Sequence, residues 1–140
     1  MVSITEEKEA IRELLYCYAF FAESGLGEEW VGLFTADAVW DAGKLGRHEG
    51  HEGIRTLFST SDPTHQHVTS NTIISVDGET AHALSHVTLN ITSKTEYRNL
   101  GGGYYMDQLV KQNGHWKFKR RTWRLRLTPE DLVPLKKLRS

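Results

Sequence analysis

The stretch Thr64-His-Gln-His-Val-Thr-Ser-Asn-Thr-Ile-Ile-Ser-Val76, followed by Asp77-Gly78 and then Glu79-Thr-Ala-His-Ala-Leu-Ser-His-Val-Thr-Leu-Asn-Ile-Thr92, decides the fold. Alternating and β-branched residues flank an Asp-Gly pair, the strongest short-range signal for a β-hairpin. A second pair, Asn113-Gly114, repeats the arrangement. The spacing therefore predicts four long strands at about 65–76, 79–92, 99–112 and 115–127. The run Gly101-Gly102-Gly103 precedes a strand and no helix follows it, so it reads as a bend or bulge and not as a phosphate-binding loop.

The first half has a different period. Thr5 with Glu6 and Glu7 marks a helix start, and apolar residues at Ile11, Leu14, Leu15, Tyr18 and Phe21 give that helix one core face before Gly25 and Gly27 end it. Glu28 to Phe34 reads as a short second helix burying Trp30, Val31 and Phe34, followed by a strand from Ala38 to Ala42. Gly43 to Gly50 is turn and short edge strand, and Glu52 to Ser59 a third helix through Ile54, Leu57 and Phe58. Thr128-Pro129-Glu130-Asp131 opens a final short helix whose Leu132, Val133, Leu135 and Leu138 would pack across an open end, as a lid or as a subunit contact. Helices followed by an antiparallel meander imply an α+β domain spanning 1–140, in which a curved sheet wraps the helices and its concave face encloses a pocket.

Composition narrows the function. Across 140 residues, 39% are hydrophobic and 25% charged, as in an ordinary globular chain. Seventeen Lys+Arg against eighteen Asp+Glu leave a net charge of -1, which gives no general attraction to nucleic acid or to an anionic membrane. A single cysteine, Cys17, excludes an intrachain disulfide. No signal peptide and no apolar run of spanning length is evident, so a cytoplasmic protein is expected. The basic–apolar stretch Lys117 to Arg126 reads as a solvated outer strand face.

Several residues could carry chemistry. In the first long strand His67, Thr69 and Asn71 share a face, placing an imidazole near neutrality beside an amide. They are either a general base with a substrate-binding partner or satisfied polar residues of a half-exposed sheet. Glu23 ends the first helix, where an acid opposes the dipole; it is either a solvated side chain or the partner of an imidazole. In the next strand His82 and His86 alternate with Ala81, Ala83, Ser85 and Val87, and either face could be inner. Asp107 with Tyr105, and Asp41 beside Trp40, are further candidates for a polar lining. The histidine pairs lack an acid at metal-ligand spacing, so no metal is expected.

The order of the strings Ile11-Arg-Glu-Leu-Leu-Tyr-Cys-Tyr-Ala19, Leu33-Phe-Thr-Ala-Asp-Ala-Val-Trp40, Gly50-His-Glu-Gly-Ile54, His67-Val-Thr-Ser-Asn71 and Tyr105-Met-Asp107, the last leading to Asn113-Gly-His-Trp116, resembles the SnoaL-like and scytalone-dehydratase-like branch of the NTF2-like superfamily. The resemblance implies a cone in which N-terminal helices fill the concave face of a curved, mixed but mainly antiparallel sheet. In dehydratase-like members an aspartate near the end of the first helix pairs with a histidine on the first long strand; the matching positions here are Glu23 and His67, with glutamate as a departure. His86 is similar to a second histidine on the following strand.

The resemblance also implies a function: a cofactor-independent lyase or isomerase of dehydratase or cyclase type, acting on a small hydrophobic carbonyl or aromatic substrate. In that reading His67, Glu23 and His86 are catalytic, and Tyr18, Phe21, Trp40, Asp41, Asn71, Tyr105 and Asp107 contact substrate. The expected partners are that substrate and a second copy of the chain. The alternative is a domain that binds a small ligand or dimerises without turnover.

Overall fold

Ser3 caps the first helix reciprocally: its hydroxyl accepts from Glu6 N–H at 3.1 Å, and Ser3 N–H donates to the Glu6 carboxylate at 2.8 Å. The cap thus lies two residues before the predicted Thr5, because Glu6 stands at the third helical position only when Ser3 is the cap. In the computed structural model, which describes residues 1–139 and side chains through Leu135, α1 spans Ile4–Glu23 and α2 spans Gly27–Val31. Then follow β1 (Phe34–Asp41), β2 (Arg47–Glu49), α3 (Gly50–Ser59), β3 (His65–Asp77), β4 (Thr80–Thr92), β5 (Tyr97–Gln112) and β6 (His115–Arg124). Short 3-10 turns cover Gly43–Leu45 and Pro129–Arg139.

The six strands form one sheet in the order β2-β1-β6-β5-β4-β3. Only the β1–β6 pair is parallel, which makes the sheet mixed but mainly antiparallel. Phe34 was expected at the end of α2 but begins β1. It pairs with Phe118, and Phe118 N–H donates to the Leu33 carbonyl at 2.9 Å, so sheet pairing takes over directly after Gly32.

Burial settles which face is inner. Ala81, Ala83, Ser85 and Val87 of β4 are buried, as are Tyr105, Asp107 and Leu109 of β5 and Trp116, Phe118 and Arg121 of β6. The core grows from aromatic contacts on this face: Tyr18–Trp30, Trp30–Phe34 and Phe34–Phe118 each have ring centroids 5.1 Å apart. Burying each such ring contributes about 1.5–3 kcal/mol before any gain from edge-to-face geometry. Glu7, buried at the start of α1, accepts hydrogen bonds from Lys111 Nζ and Trp116 Nε1 and fastens the helix to β5 and β6.

Two irregularities shape the inner face. Between Leu89 and Asn90 the β4–β5 register shifts and Leu100 becomes the extra residue, so the glycine run is the bend expected of it. There the chain passes so close to its neighbours that a Cβ on Gly103 would lie 2.5 Å from the Arg124 carbonyl and 2.7 Å from the Trp123 ring. In β6, Lys119 is extra between Phe118 and Arg120, which changes the phase of the strand and turns Arg121 inward.

The C-terminal turn does not cover the inner face. It lies against β3 and β4, where Leu135 is buried and Pro134 and Leu135 close a small cavity with His82, Leu84 and Met106. Leu138 lies outside the residues with described side chains. Among the described residues no helix is long and apolar enough to cross a membrane.

Gly103→Ala is expected to cost about 1–3 kcal/mol of stability through overpacking. Urea unfolding measures this, and an unchanged midpoint would mean that β5 and β6 part without strain.

Candidate active site

Glu23 stands in the last turn of α1, where its charge opposes the helix dipole. The opposition is compensated across the gap to β3: Glu23 Oε2 accepts from the His67 backbone N–H at 2.8 Å. The same oxygen lies 3.4 Å from His67 Nδ1, in line of charge but short of an aligned hydrogen bond. Both side chains are mostly buried, at 22% and 19% exposure. Burial lowers the His67 pKa; Glu23 opposes that shift, while Arg121 and His65 reinforce it. Tyr18 meets the imidazole edge-on at 6.2 Å.

His67 faces a cavity of about 440 Å³ lined also by Trp40, Tyr105 and Trp123, with Val87 and Leu89 at its wall. Leu45, Leu100 and Leu125, all exposed, stand at its mouth beside Gly101 and Gly102. The lining is almost wholly apolar, and among its residues only His67 carries a side chain that titrates near neutrality. Such a site can hold a flat uncharged molecule against an imidazole, and Nδ1 beside Glu23 leaves Nε2 as the nitrogen with a free lone pair.

Beneath the cavity lies a group that the basic–apolar pattern of Lys117 to Arg126 predicts in solvent. Arg121 is fully buried: its Nε lies 3.0 Å from Asp107 Oδ1, off the N–H direction, and its Nη2 donates to Asp107 Oδ2 at 3.4 Å. Its guanidinium carbon sits 3.6 Å over the Tyr105 ring and 4.2 Å over Tyr18. Burial pushes the Asp107 pKa up to about 6, against the pull of Arg121. Burial likewise raises the phenols of Tyr18 and Tyr105. Tyr18 accepts from Trp40 Nε1 at 3.1 Å and so fixes one wall of the cavity.

The structure therefore brings together Glu23, His67, Trp40 and Tyr105, with Tyr18 and Asp107 one layer behind and Phe21 packed against the core. Tyr18, Phe21 and Asp107, expected to contact substrate, thus do not line the cavity, because core packing holds them behind its wall, and three further expected residues lie farther off. His86 pairs with Ser70 and Tyr104 on the face away from the helices, where its ring lies 5.0 Å from that of Tyr104. Its neighbours in sequence, Ser85 and Val87, are the buried ones, so the period of the strand sends His86 outward. Asn71 was expected beside His67, but the β3–β4 register breaks between Ser70 and Ile73, and Asn71 adopts φ 39° there. The bulge turns it into solvent and gives the inner position to Thr72, which meets Ser85 at 3.1 Å. Asp41 lies on the outer face, accepting from Arg120 Nη2 at 2.7 Å.

Sequence reasoning missed Trp123 and Arg121. The available signal was the doublet Arg120-Arg121: in a strand of period two, adjacent residues point to opposite faces, so one of them had to turn inward.

Residues 3–122 match the family of SnoaL-like domains. No curated protein matches the chain. Among solved structures, a candidate scytalone dehydratase from Novosphingobium aromaticivorans is 26% identical, with TM-score 0.75 over 86% of this chain and 85% of that one. A protein of unknown function from Mycobacterium tuberculosis is also 26% identical, with TM-score 0.76 over 92% and 76%. An NTF2-like protein with a cystatin-like fold, again from Novosphingobium aromaticivorans, is 19% identical with TM-score 0.80 over 97% and 99%. The fold is thus the NTF2-like, or cystatin-like, cone.

Two measurements test this electrostatic arrangement. Asp107→Ala, which strands a buried guanidinium, is expected to cost about 3–5 kcal/mol, whereas the paired change D107L/R121M recovers most of it. Urea unfolding decides, and a harmless single variant would show that Arg121 has another anchor. The folded pKa of His67 lies below its unfolded value of about 6.5. Its contribution to stability is therefore complete above about 6.5 and is lost as pH falls through the folded value. Unfolding measured at pH 8 and pH 5 should show an acid loss in the wild type that is smaller in His67→Gln.

Proposed function

Since the chain belongs to the SnoaL-like domain family, we propose that it is a cofactor-independent, cytoplasmic lyase or isomerase in which His67 removes a proton from a small apolar carbonyl or aromatic substrate. The observation that carries this reading is the two-sided setting of His67: one side faces an apolar cavity, while Nδ1 lies 3.4 Å from Glu23. Glu23 holds the tautomer that leaves Nε2 basic, and its charge stabilises the imidazolium that forms. The longer glutamate still reaches the ring, because the His67 backbone N–H fixes its carboxylate at 2.8 Å.

With His86 on the other face, one group serves both halves of the reaction. His67 takes the proton at Nε2, and the same imidazolium returns it to a substrate carbon, which is an isomerisation, or to a departing hydroxyl, which is a dehydration. Trp40, Tyr105 and Trp123 orient a flat substrate against it. The likeness to a candidate scytalone dehydratase favours dehydration. A second copy of the chain would be accommodated on the outer face, where Val68 and Ile73 are 42% and 50% exposed beside His86 and Tyr104.

One observation favours a second reading. Because Asn71, His86 and Asp41 all fall outside the cavity, a single titratable group is left to act near neutrality. A domain that binds an apolar ligand without turnover would need no more.

His67→Ala should lower kcat/KM about 10²- to 10⁴-fold on β-hydroxy carbonyl or hydroaromatic substrates, with the fold intact by circular dichroism. The base works only when neutral, and burial holds its pKa low, so kcat/KM should stay level down to about pH 6.5 and fall off only below it. Ligand binding with no turnover in the wild type would give the site to the second reading.

A further inference from the structure

His67 borders two hollows. Besides the tryptophan-lined cavity, it lines a groove of about 340 Å³ between α1 and β3, together with Glu23, Tyr16, Ala19, Phe20 and Thr69. Glu23 is absent from the lining of the main cavity and is 22% exposed at the groove. Nδ1 of His67 is itself shielded from solvent and has the Glu23 carboxylate as its charged neighbour. The ring thus stands between an apolar chamber and a groove at which the Glu23 carboxylate is partly exposed.

We infer that the groove between α1 and β3 is a proton outlet, through which Glu23 exchanges the His67 proton with bulk water while the main cavity is closed or filled. The inference rests on His67 being the base. A proton taken from substrate carbon enters at Nε2, and the C–H electron pair stays on the substrate. The imidazolium then gives its Nδ1 proton to Glu23 Oε2, which makes a neutral carboxyl group and leaves a neutral imidazole protonated at Nε2. Glu23 passes its proton to groove water; when Nε2 hands its proton to the substrate carbon or the departing hydroxyl, Glu23 takes a proton back from groove water and returns it to Nδ1, which restores the starting tautomer with no net proton gained or lost. No oxidant or reductant is involved.

The groups facing His67 fit this division. Glu23 is on the groove side, Tyr18 and Tyr105 have phenols raised by burial and carry no protons away near neutrality, and Arg121 beneath repels a second positive charge. His65, the other imidazole in the same strand, is held to Asp62 at 3.5 Å. The feature assigns Glu23 a task beyond orientation: an acid with only a positioning role could be sealed in, whereas this one opens to solvent away from the substrate mouth.

The test reads solvent exchange of the His67 ring protons by NMR on ¹⁵N-histidine-labelled protein, and needs no turnover. Three variants are compared with the wild type: L45W/L125W, which fills the cavity mouth; Thr69→Trp, which fills the groove; and Glu23→Gln, which keeps its shape but removes the carrier. The expected result is exchange within about two-fold of wild type in the mouth variant and at least about ten-fold slower in both groove variants. Slowing in the mouth variant, or an unchanged rate in either groove variant, overturns the inference. Because the readout is substrate-free, a His67→Ala protein that keeps its turnover would sink the assignment of the base on its own, whatever the exchange rates show.

Discussion

A guanidinium held away from water organises the molecule. Arg121 has no exposed surface and meets two oxygens of Asp107 and the faces of three rings, Tyr105, Tyr18 and Phe118. Desolvating such a charge is costly; these contacts offset part of that cost and tie α1, β5 and β6 together at one point. The consequences reach the cavity in short steps. Tyr105 is pinned between the guanidinium and the chamber, and Tyr18 holds the Trp40 indole through its hydroxyl. The chamber wall is therefore the far side of a buried ion pair.

The same pair sets the electrostatic tone of the site. A positive charge below the cavity discourages protonation of His67, while Glu23 encourages it from the side. On balance burial prevails and the His67 pKa lies below its ordinary value, with the Glu23 carboxylate as the nearest counter-charge. Two carboxylates divide the labour by environment. Asp107 is buried and its pKa is pushed up, whereas Glu23 keeps part of its side chain in solvent.

Much of this was legible in the residues, and the failures share one cause. The hairpins at Asp77-Gly78 and Asn113-Gly114, the three helices and the pairing of Glu23 with His67 follow from turn chemistry, helical spacing and a resemblance carried by ordered strings. Alternation along a strand told faces apart wherever the ladder was regular. It failed at Asn71, where a bulge inserted residues without a glycine to announce it, and at Arg121, where the extra Lys119 changed the phase. His86 was a different matter: the alternation was right, and only burial could say which of its two faces the helices would choose. Bulges record the curvature a whole sheet needs to wrap a helix, and a single strand read alone carries little of that demand.

The strand order carries one more implication. β6 is the last strand along the chain, yet it lies in the interior of the sheet, with β1 on one side and β5 on the other. Until β6 is in place, the short β1–β2 ribbon has nothing to join it to the β3–β4–β5 meander, and both would present bare edges. A chain lacking β6 would carry two unpaired strand borders and an uncovered aromatic core, a combination that favours self-association. The continuity of the sheet therefore rests on the strand that the chain supplies after all five others, so damage to β6 would divide the sheet in two rather than trim its edge.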